Sequence, residues 1–149
     1  MKCLYILTLV LLVHNMYPQS YKYIKKLDTI YIPFKEGEFN IKIDYPEEIN
    51  GFKNRSYIFN YKKKNDNSFY FEFDRNRISE NKIIKKSFLK KNKEKIIKID
   101  SLKKFDYQDI ACDIFNRLKI IYIIDFSEKK GRSIKMYRVV SMNLCYAIE

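Results

Sequence analysis

Apolar side chains recur at every second position in three separate segments, and this spacing is typical of β-strands that bury one face. Residues 39–45 (FNIKIDY) alternate between apolar and polar side chains. Residues 56–61 and 68–74 carry Tyr and Phe at alternate positions and flank a polar stretch at 62–67. We therefore expect the last two segments to pair as a hairpin whose aromatic faces contribute to the core.

Residues 29–34 (TIYIPF) are β-branched and aromatic and predict a further strand, which Pro33 restricts to an edge of a sheet or to a bulge. A turn at 36–38 would pair this strand with residues 39–45 as a hairpin. In the second strand, Ile41, Ile43 and Tyr45 share the apolar face, and the strand stops at Pro46. Asn50 and Gly51 then mark another turn.

One helix is predicted clearly, at residues 106–118. Its apolar positions follow the helical repeat: Tyr107, Ile110, Ala111, Ile114, Phe115 and Leu118. Asp106 is suited to the N-cap. A strand is expected on each side, at 96–100 and at 120–126. The second carries five successive apolar residues and should be covered on both faces.

The remaining segments complete an α+β domain. A short helix beginning near Ser79 is expected, and closing strands at 134–142 and 144–148. The order of elements predicts a mostly antiparallel sheet with one main amphipathic helix (about 106–118) packed on it. Residues 21–149 would form a single exported domain.

The first twenty residues have the pattern of a secretory signal peptide. Lys2 precedes an uninterrupted apolar run at 3–13, and a polar stretch leads to the small residue Ser20. Eleven residues of helix span about 16 Å, against about 30 Å of hydrocarbon, so a transmembrane helix fits less well. We expect cleavage near Ser20 and a periplasmic or secreted protein with no stable transmembrane span after cleavage.

Removal of residues 1–20 takes away His14, the only histidine of the chain, together with Cys3. Without histidine, the mature chain lacks Ser-His-Asp and Cys-His catalysis and histidine-containing zinc sites. Two remaining cysteines are too few for a four-thiolate metal site. We therefore predict no metal, no cofactor and no catalytic residues. The mature chain would retain 129 residues and a net charge of +11.

Positive charge is concentrated in residues 82–104, which hold ten lysines against Glu94 and Asp100. A concentrated basic segment attracts polyanions. The candidate polyanion-binding residues are Lys85, Lys86, Lys90, Lys91, Lys93, Lys95 and Lys98. The ordinary alternative is a solvated lysine-rich face, in a chain whose Lys, Asn and Ile content matches an AT-rich genome.

Two other groups of residues suggest chemistry. Cys112 and Cys145 would pair as a disulfide after export, or remain two independent thiols. Asp109 and Asp113 lie one helical turn apart, so two carboxylates face the same way. They would serve a hydrolase that needs no histidine, although such pairs are usually the solvent face of a helix.

The apolar start, the DTIYI segment at 28–32 and the order of segments at 96–140 resemble small exported proteins of AT-rich bacteria. The resemblance implies export and carries over no active residue. We predict a non-enzymatic binding or interaction domain of the cell envelope. Its partner would be an anionic envelope component or another envelope protein. The alternatives are a binder of anionic polymers or lipids through residues 82–104, and a histidine-free carboxylate hydrolase.

Overall fold

The computed structural model describes residues 20–60, 67–143 and 145. The predicted signal peptide, apart from Ser20, lies outside the described residues. So do the tip of the aromatic hairpin and most of the predicted strand at 144–148.

Seven strands of the described residues form one sheet. They are β1 (Thr29–Phe34), β2 (Asn40–Ile49), β3 (Phe52–Asn60), β4 (Ser68–Phe73), β5 (Lys82–Ile84), β6 (Ile120–Lys130) and β7 (Ser133–Ser141). The strand order is β1-β6-β7-β4-β3-β2, and β5 also pairs with β7. β1 and β6 run parallel, whereas the other pairs are antiparallel. The predicted mostly antiparallel sheet is confirmed.

The helices are short. They are α1 (Tyr21–Lys25), α2 (Lys86–Lys91), α3 (Ile99–Leu102) and α4 (Tyr107–Asp109), which continues as a π-helix over Ile110–Ile114. Single 3₁₀ segments occupy Arg75–Glu80 and Lys93–Lys95. The described part of the chain is thus a mixed α and β fold in which the sheet dominates.

The prediction of one main helix over 106–118 is wrong in its length. Asp106 is the N-cap, as expected, and accepts hydrogen bonds from the backbone N–H groups of Gln108 and Asp109. The helix then widens and stops, because the Asn116 side chain bonds both to the Asp113 carbonyl and to the Leu118 N–H. Leu118, predicted to lie on the apolar stripe, is 94% exposed.

The predicted pairing of the first two strands is also wrong. β1 pairs with β6, and β2 pairs with β3 across the Asn50–Gly51 turn, where both residues have positive φ. The burial pattern explains the exchange. β1 buries every second residue completely and pairs with the apolar strand β6, whereas β2 carries Lys42 and Asp44 on its inner face and lies at the opposite end of the strand order.

The faces of β2 are the reverse of the expectation. Ile41, Ile43 and Tyr45 are exposed, whereas Lys42 points towards the buried side of the sheet. β2 also continues past Pro46, through a register shift between Asp44 and Glu48. The inward ammonium group of Lys42 is stabilised by the buried carboxylate of Asp125, which is described below.

The region before α4 contains turns rather than the predicted strand at 96–100. Ile96 makes one isolated bridge to Tyr31, and α3 then begins at Ile99. The helix expected to begin near Ser79 is wrong in position: the 3₁₀ segment Arg75–Glu80 ends there, and β5 follows at Lys82–Ile84. The Ser101 hydroxyl bonds the Lys98 carbonyl, a local turn contact that competes with a strand conformation.

Hydrophobic clusters cover both faces of the sheet. The larger one joins the inward faces of β1, β3, β4, β6 and β7 to α1, α3 and α4, and contains the aromatic faces predicted for the hairpin. The smaller one lies on the other face, around Ile84, Ile124, Ile134 and Met136. Strand β6 contributes to both clusters, which confirms the expected coverage of both faces from Ile121 to Phe126, whereas Ile120 is 39% exposed.

Candidate functional site

The lysine-rich segment is held on the sheet by its apolar residues. Phe88, Leu89 and Ile96 pack against the smaller hydrophobic cluster. The Phe88 ring meets the Tyr31 ring edge-on, with centroids 5.2 Å apart. α2 and the 3₁₀ turn that follows it are thereby fixed on the outer face of β6 and β7, with the polar side chains directed to solvent.

The seven candidate lysines share two properties. Each is exposed, and none forms an ion pair with a carboxylate in the described part of the chain. They are Lys85, Lys86, Lys90, Lys91, Lys93, Lys95 and Lys98, and are called the lysine surface below. The acid among them, Glu94, accepts a hydrogen bond of 3.4 Å from the Tyr23 hydroxyl of α1.

A cavity of about 350 Å³ adjoins the lysine surface at Lys98. It lies where the end of β1 and the start of β2 meet α3. Aromatic rings, amides, ammonium groups and two carboxylates line it, including Phe39, Phe126, Asn40, Asn60, Lys35, Glu38 and Asp100, and Asp100 is paired with Lys103 at 2.6 Å. Its volume is at the lower end of the range that small-molecule sites occupy.

A second set of charges surrounds a buried arginine on the inner face of the sheet, and charge density along the sequence does not reveal it. Its members are Lys42, Asp44, Arg55, Asp125, Glu128 and Lys135, called the Arg55 cluster below. Arg55 and Asp125 are fully buried. Because three cations meet three carboxylates, the cluster is neutral as a whole.

Arg55 lies at the centre of this cluster. Its Nη1 is 2.9 Å from Asp125 Oδ2 and its Nη2 is 2.9 Å from Glu128 Oε1. Its Nε lies 3.0 Å from Asp44 Oδ1, at ion-pair distance but without hydrogen-bond alignment. The contact between Arg55 on β3 and Asp125 on β6 spans two intervening strands, so the sheet curves strongly around it.

Two tyrosines complete the cluster. Tyr57 donates to Asp125 Oδ2 at 3.1 Å, and Tyr137 donates to Glu128 Oε2 at 2.5 Å. Burial raises the pKa of both phenols well above the usual value, so they remain hydrogen-bond donors. Burial opposes the charged form of Glu128, but Tyr137 and Arg55 together hold the pKa of its carboxyl below the ordinary value.

Two signals in the sequence could have identified the cluster. Arg55 shares the face of Tyr57 and Phe59, so a charge interrupts an otherwise aromatic face. Asp125 is the charged residue in the apolar run at 120–126. Buried charges of this kind are normally paired, which is what the structure shows.

The acids proposed for a hydrolase are part of a helix contact. Asp113 Oδ2 lies 2.7 Å from Lys25 Nζ and 2.8 Å from the Tyr21 hydroxyl, so it fastens α1 to α4. The hydrogen bond from Lys25 is the main cause that lowers the pKa of the Asp113 carboxyl. Asp109 presents its backbone carbonyl to the same Tyr21 hydroxyl.

Cys112 and Cys145 are bonded to each other in the structure, with Cα atoms 5.0 Å apart. That separation lies within the usual range for disulfides. The bond attaches the π-helical turn to the chain beyond β7 and closes a segment with a sequence separation of 33.

Neither a metal centre nor a membrane-spanning helix is found in residues 20–60, 67–143 and 145. No group of three or more His, Cys, Asp or Glu side chains there has the arrangement needed to hold a metal ion. Likewise, no helix in these ranges has the length and apolar character needed to cross a bilayer.

Comparisons with protein-family models, with curated proteins and with solved structures find no match to this chain.

Proposed function

We propose that this protein is an exported, non-enzymatic binding domain of the cell envelope, and that its ligand is an anionic polymer bound along the lysine surface. The observation that carries the proposal is the contrast in pairing. Inside the sheet every charge of the Arg55 cluster has opposite charges beside it, whereas the seven lysines outside have no described carboxylate partner.

Unpaired ammonium groups on a fixed support favour a polyanion over a single small anion. Residues 82–104 carry a net charge of +8, so the local potential attracts an extended chain of negative charges. Such binding gains from counterion release and weakens as salt increases. The apolar anchors Phe88, Leu89 and Ile96 hold the lysines in place before the ligand arrives.

Among anionic polymers, the cavity beside Lys98 favours a polysaccharide that contains acidic sugars. A sugar ring has apolar C–H faces and a polar edge. The rings of Phe39 and Phe126 suit the faces, and the amides of Asn40 and Asn60 suit the hydroxyl groups. Lys35 and Lys98 are exposed at the same cavity and would meet a carboxylate on the sugar.

Export is supported by two separate features of the chain. The apolar run at 3–13 has the length of the apolar centre of a signal peptide. The bonded pair Cys112–Cys145 suits an oxidising compartment, where disulfides persist.

A binding role is supported by the engagement of several acids. The buried Asp125 and the half-buried Glu128 are occupied by Arg55 and by tyrosine hydroxyls, and neither lines the cavity beside Lys98. Two other acids, Glu38 and Asp100, do line the cavity, and Asp100 is paired with Lys103 at 2.6 Å. Asp113 is occupied by Lys25 and Tyr21.

The test is a calorimetric titration of the purified protein with polygalacturonate, a chain of acidic sugars. We expect binding that weakens steeply between roughly 50 and 200 mM salt. Neutral dextran is the matched polymer and should not bind. Absence of binding to polygalacturonate at low salt would contradict the proposal.

A second titration, with vesicles of phosphatidylglycerol, distinguishes an anionic lipid from an anionic polymer as the ligand. Binding to vesicles in preference to polygalacturonate would assign the lysine surface to the membrane instead. Salt-independent binding of an envelope protein, with no affinity for either polyanion, would point to the sheet as the interaction surface.

A further inference from the structure

β2 presents an open backbone edge. It is the last strand in the order of the sheet, and its known partner, β3, lies on one side. The Phe39 carbonyl accepts from Asn60 N–H of β3, whereas both backbone groups of Asn40 bond Gly37 on the opposite side. Because these directions alternate along a strand, the backbone groups of Lys42 and Asp44 point away from β3. No strand of the described chain pairs with them there.

The outer face of this edge is apolar. Ile41, Ile43 and Tyr45 are 42–43% exposed, although each has a large apolar side chain. The apolar row continues across the sheet, because Ile41 lies beside Ile58 of β3 and Ile58 lies beside Tyr70 of β4. Open edges are normally limited by short strands, bulges or charges. Here the charges of the exposed stretch, Lys42 and Asp44, are opposite in sign and lie on the inner face, and Pro46 and the register shift interrupt the edge only after Tyr45.

We infer that β2 pairs with β2 of a second copy of this chain, antiparallel, about a two-fold axis that passes through Ile43. In this register Lys42 lies opposite Asp44 of the second copy, and Asp44 lies opposite its Lys42. Ile41 lies opposite Tyr45 of the second copy, so the apolar faces join into one surface. The sequence IKIDY is thus complementary to its own reverse in both charge and polarity.

The hydrogen-bonding pattern selects the same register. Antiparallel pairing about Ile43 makes Lys42 and Asp44 a hydrogen-bonded pair, and these are the residues whose backbone groups point to the open edge. An axis through Lys42 would place lysine opposite lysine. An axis through Asp44 would place aspartate opposite aspartate. An axis midway between two residues would place residues whose backbone groups point to the open edge opposite residues whose backbone groups point to β3.

The first test is the mass of the protein in solution. Sedimentation equilibrium at increasing protein concentration should show the mass rise from one chain to twice that value. The Ile43→Lys variant places two ammonium groups face to face on the axis and should keep the mass of one chain throughout. Tyr70→Lys is the matched control: Tyr70 is 46% exposed on the same face, but it lies on β4, away from the edge. It should still dimerise.

The second test reads the register directly. In a non-hydrogen-bonded antiparallel pair the Cα atoms are about 4.5 Å apart, which is within disulfide range. Ile43→Cys should therefore form a covalent dimer in mild oxidant, seen as a doubled mass on a non-reducing gel. Ile41→Cys has Tyr45 of the second copy opposite it and should form little covalent dimer under the same conditions.

Each result decides the inference. A concentration-independent mass of one chain, with no cross-linking of Ile43→Cys, would overturn it. Equal cross-linking of both cysteine variants would also overturn it, because it would indicate random collision or another register. Circular dichroism of every variant identifies one that has failed to fold, and the wild-type mass remains decisive in that case.

Discussion

The Arg55 cluster and the lysine surface use the same kinds of charged side chain in opposite ways. In the cluster, Arg55 is enclosed and contacts Asp44, Asp125 and Glu128. On the lysine surface, seven ammonium groups project into solvent without described carboxylate partners. The comparison shows that net charge says little about role, because pairing and burial decide whether a charge stabilises the fold or remains available to a partner.

The difference begins in the strands and turns that carry the charges. Arg55 and Asp125 are on strands within the curved sheet, so folding removes both from water and their contact must compensate for the desolvation. The lysines are on α2 and its neighbouring turns, where only the apolar side chains enter the core. Substitutions in the two regions should therefore have different effects on stability.

The largest effect is expected for Arg55→Met. It removes the cation while Asp125 stays buried, and breaking a buried pair in this way costs about 3–5 kcal/mol. Urea unfolding monitored by circular dichroism would measure the loss. Lys91→Met is the control from the exposed set and should change the free energy of unfolding by less than about 0.5 kcal/mol. Equal losses for the two variants would remove the distinction between the regions.

The disulfide should contribute nearly as much to stability without affecting the lysine surface. The Cys112→Ser, Cys145→Ser double variant should lose roughly 3–4 kcal/mol, from the loop entropy regained by the unfolded chain. Its affinity for polygalacturonate, measured where it remains folded, should equal that of the parent. A loss of affinity in the folded variant would show that the lysine surface depends on this bond.

A smaller effect is expected for Tyr137→Phe. The substitution removes the hydroxyl that donates to Glu128 and leaves one buried acceptor with fewer partners, at a cost of about 1–3 kcal/mol. Tyr70→Phe is the control, since Tyr70 is exposed and lies outside the cluster. Thermal unfolding of both variants compares them, and an unchanged midpoint for Tyr137→Phe would show that the hydroxyl contributes nothing.

Acid should weaken the cluster through Glu128. The pKa of this carboxyl is lower in the folded protein than in the unfolded chain, where it is about 4.3. Its contribution is therefore present above that unfolded value and is lost as the pH falls through the folded value. Unfolding measured from pH 7 down to about pH 3 should show this loss. Glu128→Gln should reduce the slope in this range, and an unchanged slope would assign it to other acids.

The sequence predicted the features that depend on neighbouring residues. The β3–β4 hairpin, the N-cap at Asp106 and the coverage of β6 on both faces all follow from local periodicity or capping. The parallel pairing of β1 with β6 was missed, because it joins segments separated by most of the chain. The inward Lys42 was missed for the same reason: alternation defines two faces, but distant Asp125 decides which one is buried.

The candidate site was predictable in part. The lysines were found from charge density alone, and their exposure follows from their position on α2 and the turns beside it. The cavity at Lys98 could not be anticipated, since it is formed by residues of four strands, β1, β2, β3 and β6, together with α3. The helix over 106–118 was overestimated because the side chain of Asn116 competes for the backbone groups that would have extended it.

The central claim is that the lysine surface binds an anionic polymer. The most direct test compares the loss of two positive charges on this surface with the loss of two positive charges elsewhere in the chain. One variant carries Lys90→Gln and Lys93→Gln. The control carries Arg117→Gln and Lys130→Gln, which are also exposed and lower the net charge equally but lie outside residues 82–104. The measurement is the affinity for polygalacturonate as a function of salt. We predict weaker binding and a shallower salt dependence for the first variant, with the control close to the parent. Equal losses in both variants would mean that net charge alone attracts the polymer, and would contradict the account.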